Sequence, residues 1–109
     1  MDLIVFDLDG TLLNRDSVIS DYTRDTLSML AKRGIAYTVA TGRTLHATRN
    51  LIEGHGFDLP QIYKNGVVIW NPDSVGYSHS YLLTQGEVEH VLRAFIAENT
   101  TPFILSLIH

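Results

Sequence analysis

The 109-residue sequence predicts an α/β protein organised around a parallel βαβαβ unit with strand order 3-2-1. Three observations carry that prediction. A continuous apolar run at residues 3–8 fits a strand buried on both faces. A second run, "IAYTVA" at 35–40, is rich in β-branched and aromatic residues and lies one helix downstream. A third extended segment, "QIYKNG", follows Pro60 after a second helical stretch, and strands so spaced are joined by right-handed crossovers.

The elements follow in order. In the first strand Leu3 and Val5 point to one face and Ile4 and Phe6 to the other, and the strand runs out at Asp7, Asp9 and Gly10. "TLLNRDSVIS" is polar and irregular, with a small hairpin expected around Asn14 to Asp16. Ser20 is an N-cap for a helix over about 21–33, with Leu27, Leu30 and Ala31 on one face and Gly34 as terminator. A second helix covers about 44–54, apolar at Leu45, Leu51 and Ile52. After the third strand, "VVIWNPDSVGYSHSYLL" reads as two extended segments joined by an Asn-Pro-Asp-Ser turn, with Trp70 and Tyr77 packing the hairpin. Thr84 and Glu87 have capping-box spacing, and the helix they open carries Val88, Val91, Leu92, Phe95 and Ile96 as a stripe. "PFILSLI" closes as a last strand.

Composition bounds the function. The chain is 45% apolar and 18% charged with net charge −4, which leaves no electrostatic footprint for nucleic acid. Cysteine is absent, excluding disulfides and thiolate metal sites and matching a reducing, cytoplasmic setting. No apolar run reaches membrane-spanning length, and the start is too short and acidic for a signal peptide. His46, His55, His79, His90 and His109 show no metal-ligand spacing and read as surface or capping residues.

Parallel sheets place their ligand crevice at the carboxyl ends of the strands, where Asp7, Asp9, Thr41, Gly42, Asn65 and Gly66 all fall. Strand alternation sends Asp7 and Asp9 to one side and Leu8 to the other. Two carboxylates so close are tolerated when a cation sits between them or one holds a proton, and oxygen-seeking Mg²⁺ is the obvious cation. A carboxylate there can attack phosphorus, and its neighbour can serve as acid and base. The plain alternative is an acidic turn whose carboxylates cap local amides; for Thr41 it is an ordinary N-cap, and for Arg43 a surface ion pair.

"DLDGT" after an apolar strand, with "TGR" after the second, resembles the haloacid dehalogenase superfamily of phosphohydrolases. "KNG" after the third strand, leading into a hairpin and capped helix, is similar to the Cof-type branch, in which a large α/β cap follows the third core strand. The resemblance covers nearly the whole chain but only the first part of a family member. It implies a partial Rossmann-like phosphatase core at 1–68 and a partial cap (hairpin, helix, strand) at 69–109. By position, Asp7 is the implied nucleophile and Asp9 the general acid/base. Asp7 and Asp9, the latter through its backbone carbonyl, are the implied Mg²⁺ ligands. Thr41 and Gly42 are implied to hold the phosphoryl group, with Arg43 and Asn65 near the substrate entrance.

The family also needs a lysine and further acidic residues from strands after the cap, and Lys64 precedes Asn65 instead of standing where that lysine is expected. The expected activity is therefore that of a truncated, poorly active phosphatase for a small phosphorylated metabolite. The alternatives are a non-catalytic Mg²⁺- or phosphate-binding remnant and a receiver-type phospho-acceptor domain. Against the receiver, the acidic pair follows the first strand with a one-residue gap and no late-strand lysine exists. Right-handed crossovers place both early helices on one face and leave the first strand at an open edge, so a homodimer through the first-strand region is expected. A helix over about 85–98 covering that face, with "PFILSLI" pairing the first strand, would be the way to avoid it.

Overall fold

The computed structural model describes residues 2–100. β1 (Leu3–Phe6) and β2 (Ala36–Val39) pair in parallel, from Leu3 opposite Ala36 to Phe6 opposite Val39. α1 (Asp21–Lys32) starts at Ser20, whose hydroxyl accepts from the Thr23 N–H at 3.2 Å, and ends at Gly34 with φ +72°. α2 (Leu45–Ile52) starts at Thr44, whose hydroxyl accepts from the Ala47 N–H at 3.1 Å. Where a small hairpin was expected the chain makes a turn without strands, closed by the Asn14 side-chain oxygen, which accepts from the Asp16 and Val18 N–H groups.

Both early helices cover the same side of the β1–β2 pair. Leu27 of α1 and Ile52 of α2 join Tyr37 and Val39 of β2 in one core, with Leu8, Leu12, Leu13 and Phe57, and Ile4 and Phe6 of β1 pack onto it. Tyr37 meets Phe57 edge-on at 5.1 Å and donates its hydroxyl to the His55 carbonyl at 2.7 Å. On the opposite side Leu3 and Val5 stay 56% and 48% exposed. The alternation expected for a strand buried on both faces is present, but only one face is covered.

β3 (Gln61–Tyr63) stands beside β2, completing the order 3-2-1, but joins it through one parallel bridge between Ala40 and Ile62. Its remaining pairing is antiparallel, to β4 (Val68–Asn71), which in turn pairs with β5 (Gly76–Ser80). The sheet is thus split into parallel and antiparallel parts. The reason is local: β3 follows Pro60, which has no N–H to donate, and after three residues the chain enters a left-handed turn at Lys64. Tyr63 and Val68 are fully buried with Leu45 in a second cluster, against which Trp70 and Tyr77 pack, their rings 5.3 Å apart.

α3 (Gln85–Ala97) opens with both reciprocal capping bonds, Thr84 N–H to Glu87 at 2.9 Å and Glu87 N–H to Thr84 Oγ1 at 3.2 Å. None of its residues is buried. It therefore does not cover Leu3 and Val5, and among the described residues β1 has no second strand neighbour. The last expected strand, "PFILSLI", lies outside the described residues. No helix among the described residues is long and apolar enough to cross a membrane.

Candidate active site

β1 ends where its pairing ends, at Phe6, and the Ala40 N–H closes that end by donating to the Phe6 carbonyl at 2.8 Å. Leu8 is then drawn completely into the core. The chain wraps into a wide turn closed by Leu12 N–H to the Asp7 carbonyl at 3.3 Å and Leu13 N–H to the Leu8 carbonyl at 2.9 Å. Gly10 sits in it at φ +76°, a conformation costing other L-residues about 1–2 kcal/mol.

The turn separates the two aspartates. Asp7 keeps to the strand end, and its Oδ1 accepts from the Leu8 N–H at 2.9 Å. Asp9 instead meets Arg43: Nε donates to Oδ2 at 2.8 Å and Nη2 to Oδ1 at 2.7 Å. The expectation of two carboxylates side by side on one strand face is corrected here, because the strand stops before either of them. The charge compensating Asp9 is a guanidinium. Its two-pronged hydrogen bonding, with its positive charge, holds the Asp9 carboxyl below the usual carboxylate value and raises that of Arg43 in return.

Asp7, Ala40, Thr41, Gly42, Ile62, Asn65 and Gly66 line a cavity of about 410 Å³ at the carboxyl ends of β1, β2 and β3. Of the residues singled out in the sequence, Asp7, Thr41, Gly42, Asn65 and Gly66 are brought together there. Asp9 and Arg43 are not part of its lining and face each other beside it.

Two loops make the wall. Thr41 N–H donates to the Ile62 carbonyl at 3.0 Å, Lys64 N–H to the Arg43 carbonyl at 3.0 Å, and Asn65 N–H to the Thr41 carbonyl at 3.1 Å. Lys64, Asn65 and Gly66 take φ of +50°, +55° and +96° in succession. That turn seats the Asn65 amide on Gly42, where a Cβ would come within 3.1 Å of Asn65 Oδ1. Only glycine fits at 42 without displacing that side chain.

The donors in the wall are set for an anion. The buried Thr41 hydroxyl accepts from the Arg43 N–H at 3.1 Å, which leaves its own proton to give elsewhere. The N-cap of α2 is Thr44, so Thr41 is not spent on capping. The Gly42 N–H has no hydrogen-bond partner among the described residues. Thr44 as cap, and Asp9 as the partner in the ion pair that was the plain alternative for Arg43, are what the sequence reading missed. The signal for the pair was available: loops after neighbouring parallel strands are adjacent in space, so an acid in one lies within reach of an arginine in the other.

The fit to Mg²⁺ follows from the free oxygens. This ion takes one or two carboxylates and fills its octahedron with water and substrate phosphate. Asp7 lines the cavity with one carboxylate oxygen free of hydrogen bonds, which suits it. Both Asp9 carboxylate oxygens are occupied by Arg43, leaving Asp9 its backbone carbonyl to contribute. No group of three or more His, Asp or Glu side chains gathers among the described residues.

Residues 4–107 match the family model of haloacid dehalogenase-like hydrolases. The chain is 39% identical over 69 residues to the 5-amino-6-(5-phospho-D-ribitylamino)uracil phosphatase YcsE of Bacillus subtilis, covering 63% of this chain and 28% of that protein. It is 42% identical over 67 residues to the HMP-PP phosphatase of an Enterobacter species, covering 62% of this chain and 25% of the relative. A solved haloacid dehalogenase-like hydrolase from B. subtilis superposes with a TM-score of 0.73 at 31% identity, over 91% of this chain and 34% of the other. One from Bacteroides thetaiotaomicron gives 0.73 at 29% identity, over 90% and 38%. The chain thus spans between a quarter and two fifths of the proteins named here. With the acidic turn, the threonine–glycine loop and the asparagine turn at one rim, and the family model matching nearly end to end, the chain belongs to the haloacid dehalogenase-like hydrolases.

Proposed function

We propose that this chain carries the nucleophilic part of a Mg²⁺-dependent phosphatase for small phosphate monoesters. The supporting observation is that Asp7 shares one cavity with the unspent Thr41 hydroxyl proton and Gly42 amide. An Asp7 carboxylate oxygen attacks phosphorus, the bond from phosphorus to the leaving oxygen breaks, and an aspartyl phosphate forms. Asp9, which must first leave Arg43 and take up a proton, gives the leaving oxygen that proton and then accepts one from the water that hydrolyses the acyl phosphate, regenerating Asp7. Thr41 and Gly42 hold the phosphoryl oxygens, and Asn65 and Arg43 contact the rest of the substrate. Bound Mg²⁺, held by the Asp7 carboxylate and the Asp9 carbonyl, would neutralise the phosphoryl charge. That YcsE is a 5-amino-6-(5-phospho-D-ribitylamino)uracil phosphatase and the Enterobacter relative an HMP-PP phosphatase supports the substrate class.

In this reading residues 1–68 are a partial phosphatase core and 69–109 the beginning of a cap, in a cytoplasmic protein. The cavity lining holds no lysine or arginine, so slow turnover is expected of the 109 residues alone. The bare side of β1, with Leu3 and Val5 exposed beside an edge unpaired among the described residues, is proposed to associate as a two-fold dimer.

The test is to incubate the chain with Mg²⁺ and acetyl phosphate or p-nitrophenyl phosphate, then locate any acyl phosphate by mass spectrometry. A labile phosphoryl group on Asp7, absent from Asp7→Asn, is the expected result. A stable adduct that is never hydrolysed would favour a phospho-acceptor, and no adduct with retained phosphate binding would favour a remnant.

A further inference from the structure

The cavity at the carboxyl ends of the strands has a counterpart at the opposite end of β3. Gln61, the first residue of β3, pairs there with Trp70 of β4, and with the end of α2 they border a cavity of about 440 Å³. That volume lies within the roughly 300–1,000 Å³ of small-ligand sites. Ile52, Phe57 and the half-buried Trp70 give it an apolar part. Its loop wall, between Gly54 and Asp58, is pinned from beneath by two buried side chains. The Tyr37 hydroxyl donates to the His55 carbonyl at 2.7 Å, and Gln61 Nε2 donates to the Phe57 carbonyl at 3.0 Å. Gly56 lies so close to Tyr37 that a Cβ there would stand 2.5 Å from its hydroxyl oxygen. The wall is therefore held in place before anything binds.

Three charged side chains line the same cavity, and their sum is negative. Glu53, which caps the carboxyl end of α2, and Asp58 form no ion pair among the described residues. The helix end adds partial negative charge of its own. Arg49 stands one turn before Glu53 on the same helix, yet its guanidinium lies over the Trp70 ring, 5.7 Å from the centroid. The electron-rich face of the ring thus already holds a cation, and that cation is carried on an exposed side chain. We propose that this cavity is a second ligand site, which takes a small organic cation onto Trp70 with Glu53 and Asp58 as counter-charges, replacing Arg49. On leaving the ring Arg49 has Glu53 within reach at i, i+4, so the exchange strands no charge. Anions are disfavoured here, which sets this site apart from the phosphate-seeking cavity of Asp7. It stands whether or not that cavity is catalytic.

Trp70 is the only tryptophan in the chain, so its emission reports directly on the site. The experiment titrates the 109-residue chain with choline, a quaternary ammonium, and with its uncharged carbon isostere dimethylbutanol. Choline should change the emission saturably and bind at least about fivefold more tightly than the isostere. Arg49→Gln should bind choline about two- to fivefold more tightly than wild type, because the internal competitor is gone. Glu53→Gln and Asp58→Asn should each weaken choline about two- to fivefold, and added salt should weaken it in wild type. Trp70→Leu, followed by calorimetry, should lose the preference for choline over the isostere. Equal affinity for choline and the isostere would mean a plain apolar pocket and overturn the cation site. Unchanged or weaker choline binding in Arg49→Gln would overturn the replacement of Arg49. No saturable change in either wild type or Arg49→Gln would overturn the site altogether.

Discussion

α1 and α3 are nearly equal in length, 12 and 13 residues, and each begins at a well-made cap with an apolar stripe behind it. α1 buries Leu27 against β2 and the Leu12–Leu13 segment. α3 buries nothing, and Ile96 remains 73% exposed. The local signals that build a helix are therefore equally good in both regions, while the surface that rewards the helix is present in only one. In the core region, two parallel strands offer a ready-made apolar face, and the Leu8 turn fills the gap between strand and helix. In the hairpin–helix region, β4 and β5 spend their packing on Trp70, Tyr77 and Tyr63, leaving α3 without a place in either cluster. Helix stability in proteins comes mainly from tertiary burial, so the two regions should respond very differently to the same kind of change.

The largest expected effect tests that contrast directly. Leu8→Ala empties a fully buried position and should cost about 2–5 kcal/mol, whereas Phe95→Ala on α3 should stay within about 0.5 kcal/mol. Urea denaturation of the two variants decides it; similar losses would mean that α3 is packed as firmly as α1. A smaller effect belongs to the uncovered side of β1. Val5→Lys places a charge where association is proposed, and sedimentation should show the wild-type dimer converted to monomer with Tm nearly unchanged. A wild-type monomer at micromolar concentration would remove the dimer.

The smallest effects are acidic titrations, one in each region. Asp9 is held below its ordinary value of 3.8 by the Arg43 hydrogen bonds, and Glu87 below 4.5 by its bond from the Thr84 backbone. A carboxylate depressed by folding contributes stability above its unfolded value, and that contribution is lost as pH falls through the lower folded value. From about pH 5 to 3, then, Tm should fall more steeply in wild type than in Arg43→Gln, while Glu87→Gln should flatten the loss of α3 helicity and leave Tm alone. Both groups are solvent-exposed, so salt should reduce either effect. A Tm that tracks Glu87 would show that α3 melts with the core.

The order of elements was legible because its causes are local. Ser20 and Thr84 cap helices through bonds to amides three residues away, and Gly34 ends α1 through its own positive φ. The apolar runs mark β1 and β2, and right-handed crossovers follow from chain chirality. Asp7, Thr41, Gly42 and Asn65 were findable because strand ends of a parallel sheet share one rim. The fate of Asp9 was decided only by the assembled fold. Its partner lies 34 residues away, and whether a carboxylate faces a cavity or a guanidinium depends on where β1 stops and how deeply Leu8 is pulled in. The same holds for the single bridge joining β3 to β2 and for the uncovered stripe of α3. Local hydrogen bonds are written in neighbouring residues, while burial and ion pairing exist only once distant segments meet.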